Sequence, residues 1–420
     1  MIKFLIGDCR ETLKSLPAQS VQCVVTSPPY YGLRDYGEAS QIGLESTPEV
    51  YIAKIVEVFR EVRRVLRDDG TLWLNIGDSY AGSWGAQSRD RYVESNDPSW
   101  HGSQIRNHPK RASHTGSIRA AGVKAKDLYG IPWMLAFALR ADGWYLRQDI
   151  IWNKPNPMPE STRDRCTKAH EYLFLLTKRS TYYFDHEAMK EPSTASHPAG
   201  NKKHKYVTEY ETSNSDEHRT KAGLLKLSGV SWAMRNRRSV WTITTKPFKG
   251  AHFATFPPDL IEPCIAAGTS AGGCCATCGS PFVRQVAVGD TDVDHQRACG
   301  GAVDGSYDGQ ATKDYAAAKA QNPSDVKRRI LLGMREKVTT GWTPTCACPP
   351  REPVPCVVLD PFGGAGTTGM VAQQHGRNAV LCELNEDYVD IARVRLGITL
   401  PFERAMLSME RAVDAAVAAR

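Results

Sequence analysis

Residues 21 to 25, Val-Gln-Cys-Val-Val, run straight into Thr26-Ser27-Pro28-Pro29-Tyr30, and this junction limits the fold more than any other stretch. The run is apolar and β-branched enough for a central strand of a parallel sheet. Two consecutive prolines then forbid strand or helix, so the chain leaves the sheet as a stiff loop. In open α/β sheets ligands bind outside the carboxyl ends of the strands. There, Ser27 Oγ and the Pro28 carbonyl can both accept hydrogens from the exocyclic amine of a nucleobase, drawing its nitrogen toward a nucleophilic geometry. Tyr30 can stack on a base that has left its duplex. An ordinary Pro-Pro turn has the same letters, so a second feature has to decide.

That feature is Asp360-Pro361-Phe362-Gly363-Gly364-Ala365-Gly366-Thr367-Thr368, preceded by the apolar residues 357 to 359. It reads as a strand, a glycine-rich turn and a helix start, where bare backbone lets a ligand approach and exposed amides suit its polar groups. The next apolar run, residues 378 to 382, ends at Glu383, and an acid about 20 residues beyond a glycine turn fits a partner for ribose hydroxyls.

The early Ser27-Pro28-Pro29-Tyr30 and the late Asp360 to Thr368 motif together resemble the β-group of DNA amino-methyltransferases, which place the catalytic motif before the cofactor motif. Residues 152 to 159 and 252 to 257 extend the resemblance to about two thirds of the chain; Ala365 departs from it, where many members carry serine. The resemblance implies S-adenosylmethionine as cofactor, double-stranded DNA as partner and Ser27, Pro28, Pro29 and Tyr30 as the catalytic set. It implies cofactor contacts from Asp8, His252, Phe253, Thr255, Asp360, Phe362, Gly363, Gly364, Gly366, Thr367, Thr368 and Glu383, with residues 252 to 258 at the methionine end. For Asp8 the local alternative is a helix cap. A serine before Pro-Pro-Tyr is associated in the family with cytosine N4 methylation and an aspartate or asparagine with adenine N6, so cytosine N4 is expected and adenine N6 stays open.

In chain order, residues 2 to 6 read as a strand, and Thr47-Pro48-Glu49 starts a helix that Gly70 is expected to end. Residues 71 to 76 form the next strand, which leaves Asp78 and Tyr80 near the cleft. Residues 131 to 139 read as a helix and 144 to 152 as a strand, and residues 171 to 176 with 182 to 184 as a β-hairpin. Lys154 and Arg163 follow the strand end, and Arg237 and Arg238 lead into another strand at Trp241; all four are candidate DNA contacts. Basic residues Arg106, Lys110, Arg111 and Arg119 lie in a polar insertion that could track phosphates or stay solvated.

Cys275 and Cys278 have the spacing of a zinc knuckle, and Cys346 and Cys348 supply two more thiols, with Cys274 and Cys299 as competing ligands. Soft sulfur ligands suit one structural Zn²⁺; buried free cysteines are the alternative. No apolar run approaches membrane-spanning length and no signal peptide is visible at the start, so a cytoplasmic location is expected, where 12 cysteines argue for thiols or metal rather than disulfides. The net charge of +7 leans toward polyanions. No membrane and no obligate protein partner is expected; a homodimer stays open.

The expected architecture is α/β: a doubly wound, mostly parallel sheet of the S-adenosylmethionine-dependent methyltransferase fold in circularly permuted motif order, with an inserted zinc-ribbon-like segment. Residues 1–80 carry the catalytic half, 81–126 a polar insertion, 127–185 more of the domain and 186–238 a linker or target-recognition region. Residues 239–268 give a cofactor-side helix, 269–352 the zinc-ribbon-like insertion, 353–400 the cofactor-binding half and 401–420 a helical tail. Three other functions compete with this reading. A cytosine C5-methyltransferase needs a Pro-Cys nucleophile at a strand end, and neither Pro263-Cys264 nor Pro355-Cys356 is so placed. An RNA- or protein-directed amino-methyltransferase shares the Pro-Pro-Tyr logic, and a non-catalytic zinc-ribbon DNA-binding module conflicts with two intact motifs.

Overall fold

The structure is a computed structural model that describes residues 1–33, 38, 40–81, 123, 124, 126–192, 234–246, 255–288 and 337–399. The basic residues of the first polar insertion, His252, Phe253, Cys299 and the tail from 401 lie outside them. Two compact units emerge. One comprises Met1–Ala188, Arg238–Phe282 and Pro344–Arg420, the other Met189–Arg237 and Val283–Thr343.

The first unit is built on an eight-stranded sheet. Its strands are β1 (Ile2–Ile6), β2 (Val21–Thr26), β3 (Leu66–Ile76), β4 (Tyr145–Asn153), β5 (His170–Thr177) and β8 (Val240–Thr242), then β11 (Val357–Asp360) and β12 (Asn378–Glu383). They lie in the order β1-β12-β11-β2-β3-β5-β4-β8. Neighbours from β1 through β3 are parallel, β5 is antiparallel to both β3 and β4, and β8 is parallel to β4. All six residues of β2 are buried, as a strand covered on both faces requires. β2, which leads into Ser27-Pro28-Pro29-Tyr30, and β11, which leads into the glycine turn, are thus neighbours although far apart in sequence.

Helix α1 (Cys9–Thr12) follows β1, and helix α2 (Pro48–Val65) follows the segment that begins with the Ser27 to Tyr30 loop. Thr47 Oγ1 accepts from Val50 N at 3.3 Å and Pro48 occupies the first turn, a start the sequence spells out. Tyr51, Ile55, Phe59 and Val62 lie on one face with no exposed surface, each contributing roughly 1.5–3 kcal/mol by burial. The helix ends five residues before the expected position. Gly70 lies inside β3, and its role is close packing: a Cβ there would stand 2.5 Å from Leu66 Cδ1 and 2.8 Å from the Gln22 carbonyl oxygen.

Helix α3 (Ile131–Ala141) packs on α2, and α4 (Pro258–Gly268) packs on β2 and on α5 (Thr367–Gln374). Helix α6 (Glu386–Arg395) follows β12. Two expectations need correction here. The hairpin partner of residues 171–176 is β4, not residues 182–184, which form no strand. Asp78 does not face the cleft; its carboxylate accepts from Gly130 N and Ile131 N at 3.1 Å and so caps α3. Cys264 lies inside α4 and Cys356 precedes β11, both fully buried.

The second unit contains a pair of short strands, β6 (Glu191–Pro192) and β7 (Met234–Arg235), and a two-stranded sheet of β9 (Phe282–Val288) and β10 (Lys337–Pro344). The cysteines expected to anchor an insertion at 269–352 belong to the first unit. No helix among the described residues is long and apolar enough to cross a membrane.

Candidate active site

Proline stiffness and strand order together put two loops on one edge of the sheet. Ser27 to Tyr30 leave the carboxyl end of β2, and Pro361 to Gly366 leave the carboxyl end of the adjacent β11. Ser27 to Tyr30 and Pro361 to Ala365 line one cleft whose empty volume is about 1200 Å³, its mouth included, along with Asp8, Thr255 and Glu383; Gly366 and Thr368, also expected at the cofactor, are not among its walls.

Asp360 joins the two loops. Thr26 Oγ1 donates to its Oδ1 at 2.6 Å, Thr368 Oγ1 to its Oδ2 at 2.7 Å and Phe362 N to Oδ1 at 3.0 Å. Its carboxyl group is buried, and burial raises its pKa to about 6 against the hydrogen bonds that favour the charge. Asp360 lines the cleft, and its side chain also fixes the turn to β2.

The turn itself explains its glycines. A Cβ at Gly363 would meet Leu381 Cβ at 3.0 Å, and one at Gly366 would meet Ala392 Cβ at 2.9 Å. Gly364 has φ +48°, and a Cβ there would find only the Phe362 carbonyl, at 3.9 Å. The space above Gly364 is therefore free for a ligand. Glu383 faces it: Oε2 accepts from Gly364 N at 2.7 Å and Oε1 from Asn385 N at 3.0 Å. Burial raises the Glu383 pKa. Each oxygen keeps a lone pair for a further donor. Thr367 lines the cleft, and its hydroxyl accepts from the Arg395 guanidinium at 2.8 Å.

Asp8 meets both of its readings. It lines the cleft, and it caps α1 by accepting from Arg10 N at 2.9 Å while also pairing with the Arg10 guanidinium. Burial works to raise its pKa, but the Arg10 bonds outweigh it and hold the carboxyl below its ordinary value.

The Ser27 to Tyr30 loop is braced from behind. Tyr51 Oη, on α2, donates to the Pro29 carbonyl at 2.8 Å. Tyr30 Oη donates to Glu171 Oε2 at 2.6 Å, and Tyr30 packs so closely on Gly77 that a Cβ there would stand 2.6 Å from Tyr30 Cε2. Lys154, expected on the nucleic-acid side, pairs with the other oxygen of Glu171. Arg163 and Arg238 are exposed and Arg237 is half-buried. Sequence reasoning missed Glu171. The available signal was its place at the start of an apolar strand: because β5 is antiparallel, its beginning lies beside the carboxyl ends of β3 and β4, with Tyr172 opposite Ile76 and His170 opposite Asn153.

The four cysteines expected to bind metal do come together. The Sγ atoms of Cys275, Cys278, Cys346 and Cys348 lie within 4.8 Å of one another. The knuckle is keyed to the sheet: Gln22 Nε2 donates to the Gly279 carbonyl at 3.0 Å and Arg67 Nη1 donates to the Cys278 carbonyl. Gln22 is at the start of β2 and Ser27 beyond its end, so the cluster stands roughly 17 Å of strand away from the reactive loop.

A mostly parallel sheet with a rigid hydroxyl-bearing loop and a glycine turn across one cleft defines an α/β enzyme that brings a cofactor to a reacting group. The chain belongs to the DNA methylase family of N6 and N4 methyltransferases, whose model matches residues 21–276 and 354–394. It is 38% identical over 391 residues to the Type II methyltransferase M.Cfr9I of Citrobacter freundii, covering 93% of this chain and 86% of that protein. It is 36% identical over 394 residues to the Type II methyltransferase M.SmaI of Serratia marcescens, covering 94% and 90%. Among solved structures it is similar to PvuII DNA methyltransferase (cytosine-N4-specific) at 15% identity and a TM-score of 0.48, covering 97% of this chain and 90% of that one. That likeness is too distant to bear on the reaction.

Proposed function

We propose that the chain transfers a methyl group from S-adenosylmethionine to the exocyclic N4 amine of a cytosine flipped out of double-stranded DNA, at a specific site. The observation that carries this reading is the shared cleft of Ser27, Pro28 and the Gly363 to Ala365 turn. The cofactor, when bound, supplies a methyl group on a positively charged sulfur. The cleft suits it: the turn leaves bare space at Gly364, and the Glu383 carboxylate beside it can accept from ribose hydroxyls.

Ser27 Oγ and the Pro28 carbonyl accept the two amine hydrogens, because Tyr51 already occupies the carbonyl of Pro29. Their rigidity matters, since donors and acceptors fixed in advance cost no reorganisation during the reaction. Arg163 and Arg238, both exposed, are the proposed DNA-backbone contacts; Arg237 is a further candidate and Lys154 would first have to leave Glu171. Serine at position 27 favours cytosine by the family's pattern, and adenine N6 is the other outcome of the test. Labelled methyl groups offered to an equimolar mixture of duplex DNA, RNA and protein should enter the DNA. Label in RNA or protein alone would overturn the reading.

The cysteine cluster supports one structural Zn²⁺ per chain. A tetrahedron with Zn–S bonds of about 2.3 Å has S···S edges of about 3.8 Å, and the observed separations need only a small contraction to reach it. Held by Cys275, Cys278, Cys346 and Cys348, the ion would join two stretches of chain some seventy residues apart, next to the contacts that Gln22 and Arg67 make with the knuckle. Metal analysis should find close to one zinc per chain, and Cys278→Ser should lower both zinc content and thermal midpoint. A folded, active preparation without zinc would leave the four as plain thiols.

A further inference from the structure

Behind the reactive loop runs a polar chain for which amine activation by Ser27 and Pro28 has no use. The Tyr30 hydroxyl lies 3.5 Å from Ser27 Oγ and donates to Glu171 Oε2 at 2.6 Å. Lys154 Nζ holds the other carboxylate oxygen and sits 4.2 Å from the Trp152 ring centroid, which fixes the pair against the sheet. Asn75 Nδ2 adds a donor to Glu171 Oε2 at 3.3 Å and bonds the Tyr172 carbonyl at 3.0 Å. The Glu171 and Lys154 side chains are 16% and 18% exposed, so the far end of the chain reaches water while its near end reaches the cleft through Ser27 and Tyr30.

The geometry points to Glu171 as the acceptor of the proton that methyl transfer releases, reached from the target amine through the Ser27 and Tyr30 hydroxyls. The inference rests on amino-methyl transfer as the reaction. As the amine nitrogen bonds the methyl carbon, the carbon–sulfur bond breaks with its electron pair left on sulfur, which becomes a neutral thioether. Nitrogen then carries one proton too many. That proton passes to Ser27 Oγ, the Ser27 proton to Tyr30 Oη and the Tyr30 proton to Glu171 Oε2. The positive charge that arrived on sulfur ends by neutralising a carboxylate. Tyr30 serves as the middle link because burial, with the Glu171 charge next to it, raises its pKa well above the ordinary phenol value; it gives a proton only as it receives one. Lys154, by holding Oε1, leaves Oε2 to the phenol.

The test is single-turnover methylation of duplex DNA by the full chain. Glu171→Gln keeps the size and an acceptor oxygen for the Tyr30 hydroxyl but cannot take up a proton. Its rate constant should fall about a hundredfold, within the range of general-base removal, with the KM values for DNA and cofactor unchanged. Tyr30→Phe keeps the ring and should show the same loss. The double variant should fall no further, since residues on one path act as a unit. Glu171→Gln with Lys154→Met removes both charges and should behave like Glu171→Gln alone, which separates the relay from the effect of an unpaired lysine. Either single variant at the wild-type rate overturns the relay, as does a loss confined to KM, which would make Glu171 a strut for the Tyr30 ring. A wild-type chain that methylates no duplex DNA overturns the function and the relay together.

Discussion

Asp360→Ala is expected to destabilise the fold by about 3–5 kcal/mol, whereas Asp360→Asn costs less than about 1 kcal/mol. Alanine leaves the Thr26 and Thr368 hydroxyls and the Phe362 amide without their acceptor in a buried place, and opens a small cavity. Asparagine fills the same volume. Its oxygen can accept from Thr26 and Phe362, and its amide can donate to Thr368 Oγ1, which then turns its own hydrogen to the Val25 carbonyl, 3.3 Å away. The amide also removes a buried charge. With its pKa raised to about 6 from an unfolded value of about 3.9, Asp360 contributes stability below the unfolded value that is lost as pH rises through the folded one. The loss amounts to about 3 kcal/mol for a shift of about two units. Denaturant melts at pH 4 and pH 7.5 read both effects: the asparagine variant should gain on the wild type as pH rises. An alanine variant as stable as wild type would show that Asp360 does not hold the two loops together.

Glu383→Ala is expected to weaken S-adenosylmethionine binding about a hundredfold while the fold persists. Charged hydrogen bonds are worth about 1.5–3 kcal/mol each, and about 1.4 kcal/mol is a factor of ten. Part of the loss is indirect, because the carboxylate also anchors Gly364 N and Asn385 N and so shapes the turn. These amides lie at the edge of an open cleft, where water can replace the lost acceptor, and so the thermal midpoint should move little. Glu383 has a raised pKa from burial, so affinity should fall as pH falls through that value. Calorimetry with the folded variant is the measurement; unchanged affinity removes Glu383 from the cofactor site.

What the sequence makes legible here is what local chemistry dictates. Pro28-Pro29 must end a strand, Gly364 must sit where a side chain is unwelcome, and Thr47-Pro48 must start a helix; each is found in place. Other features depend on which strands become neighbours. Asp360 reads as a ligand contact, and that it also joins two loops shows only once its partner Thr26, 334 positions away, lies beside it. Glu171 is unremarkable at the start of an apolar run, and only the antiparallel setting of β5 brings it behind Tyr30. Gly70 fits a helix-ending signal, yet Leu66 and Gln22 crowd it into β3. The cysteine spacing indicated the cluster, but its seat on Gln22 and Arg67 at the far end of β2 required the fold.

The reaction proposed for this chain is methyl transfer to a base amine in duplex DNA, with cytosine N4 as the target. Duplex DNA incubated with the chain and S-adenosylmethionine, then digested to nucleosides and analysed by mass spectrometry, tests it most directly. The predicted product is N4-methylcytosine, formed at full rate by wild type and lost in Ser27→Ala. A digest containing only N6-methyladenine would contradict the cytosine assignment, and a digest with no methylated base would contradict the function itself.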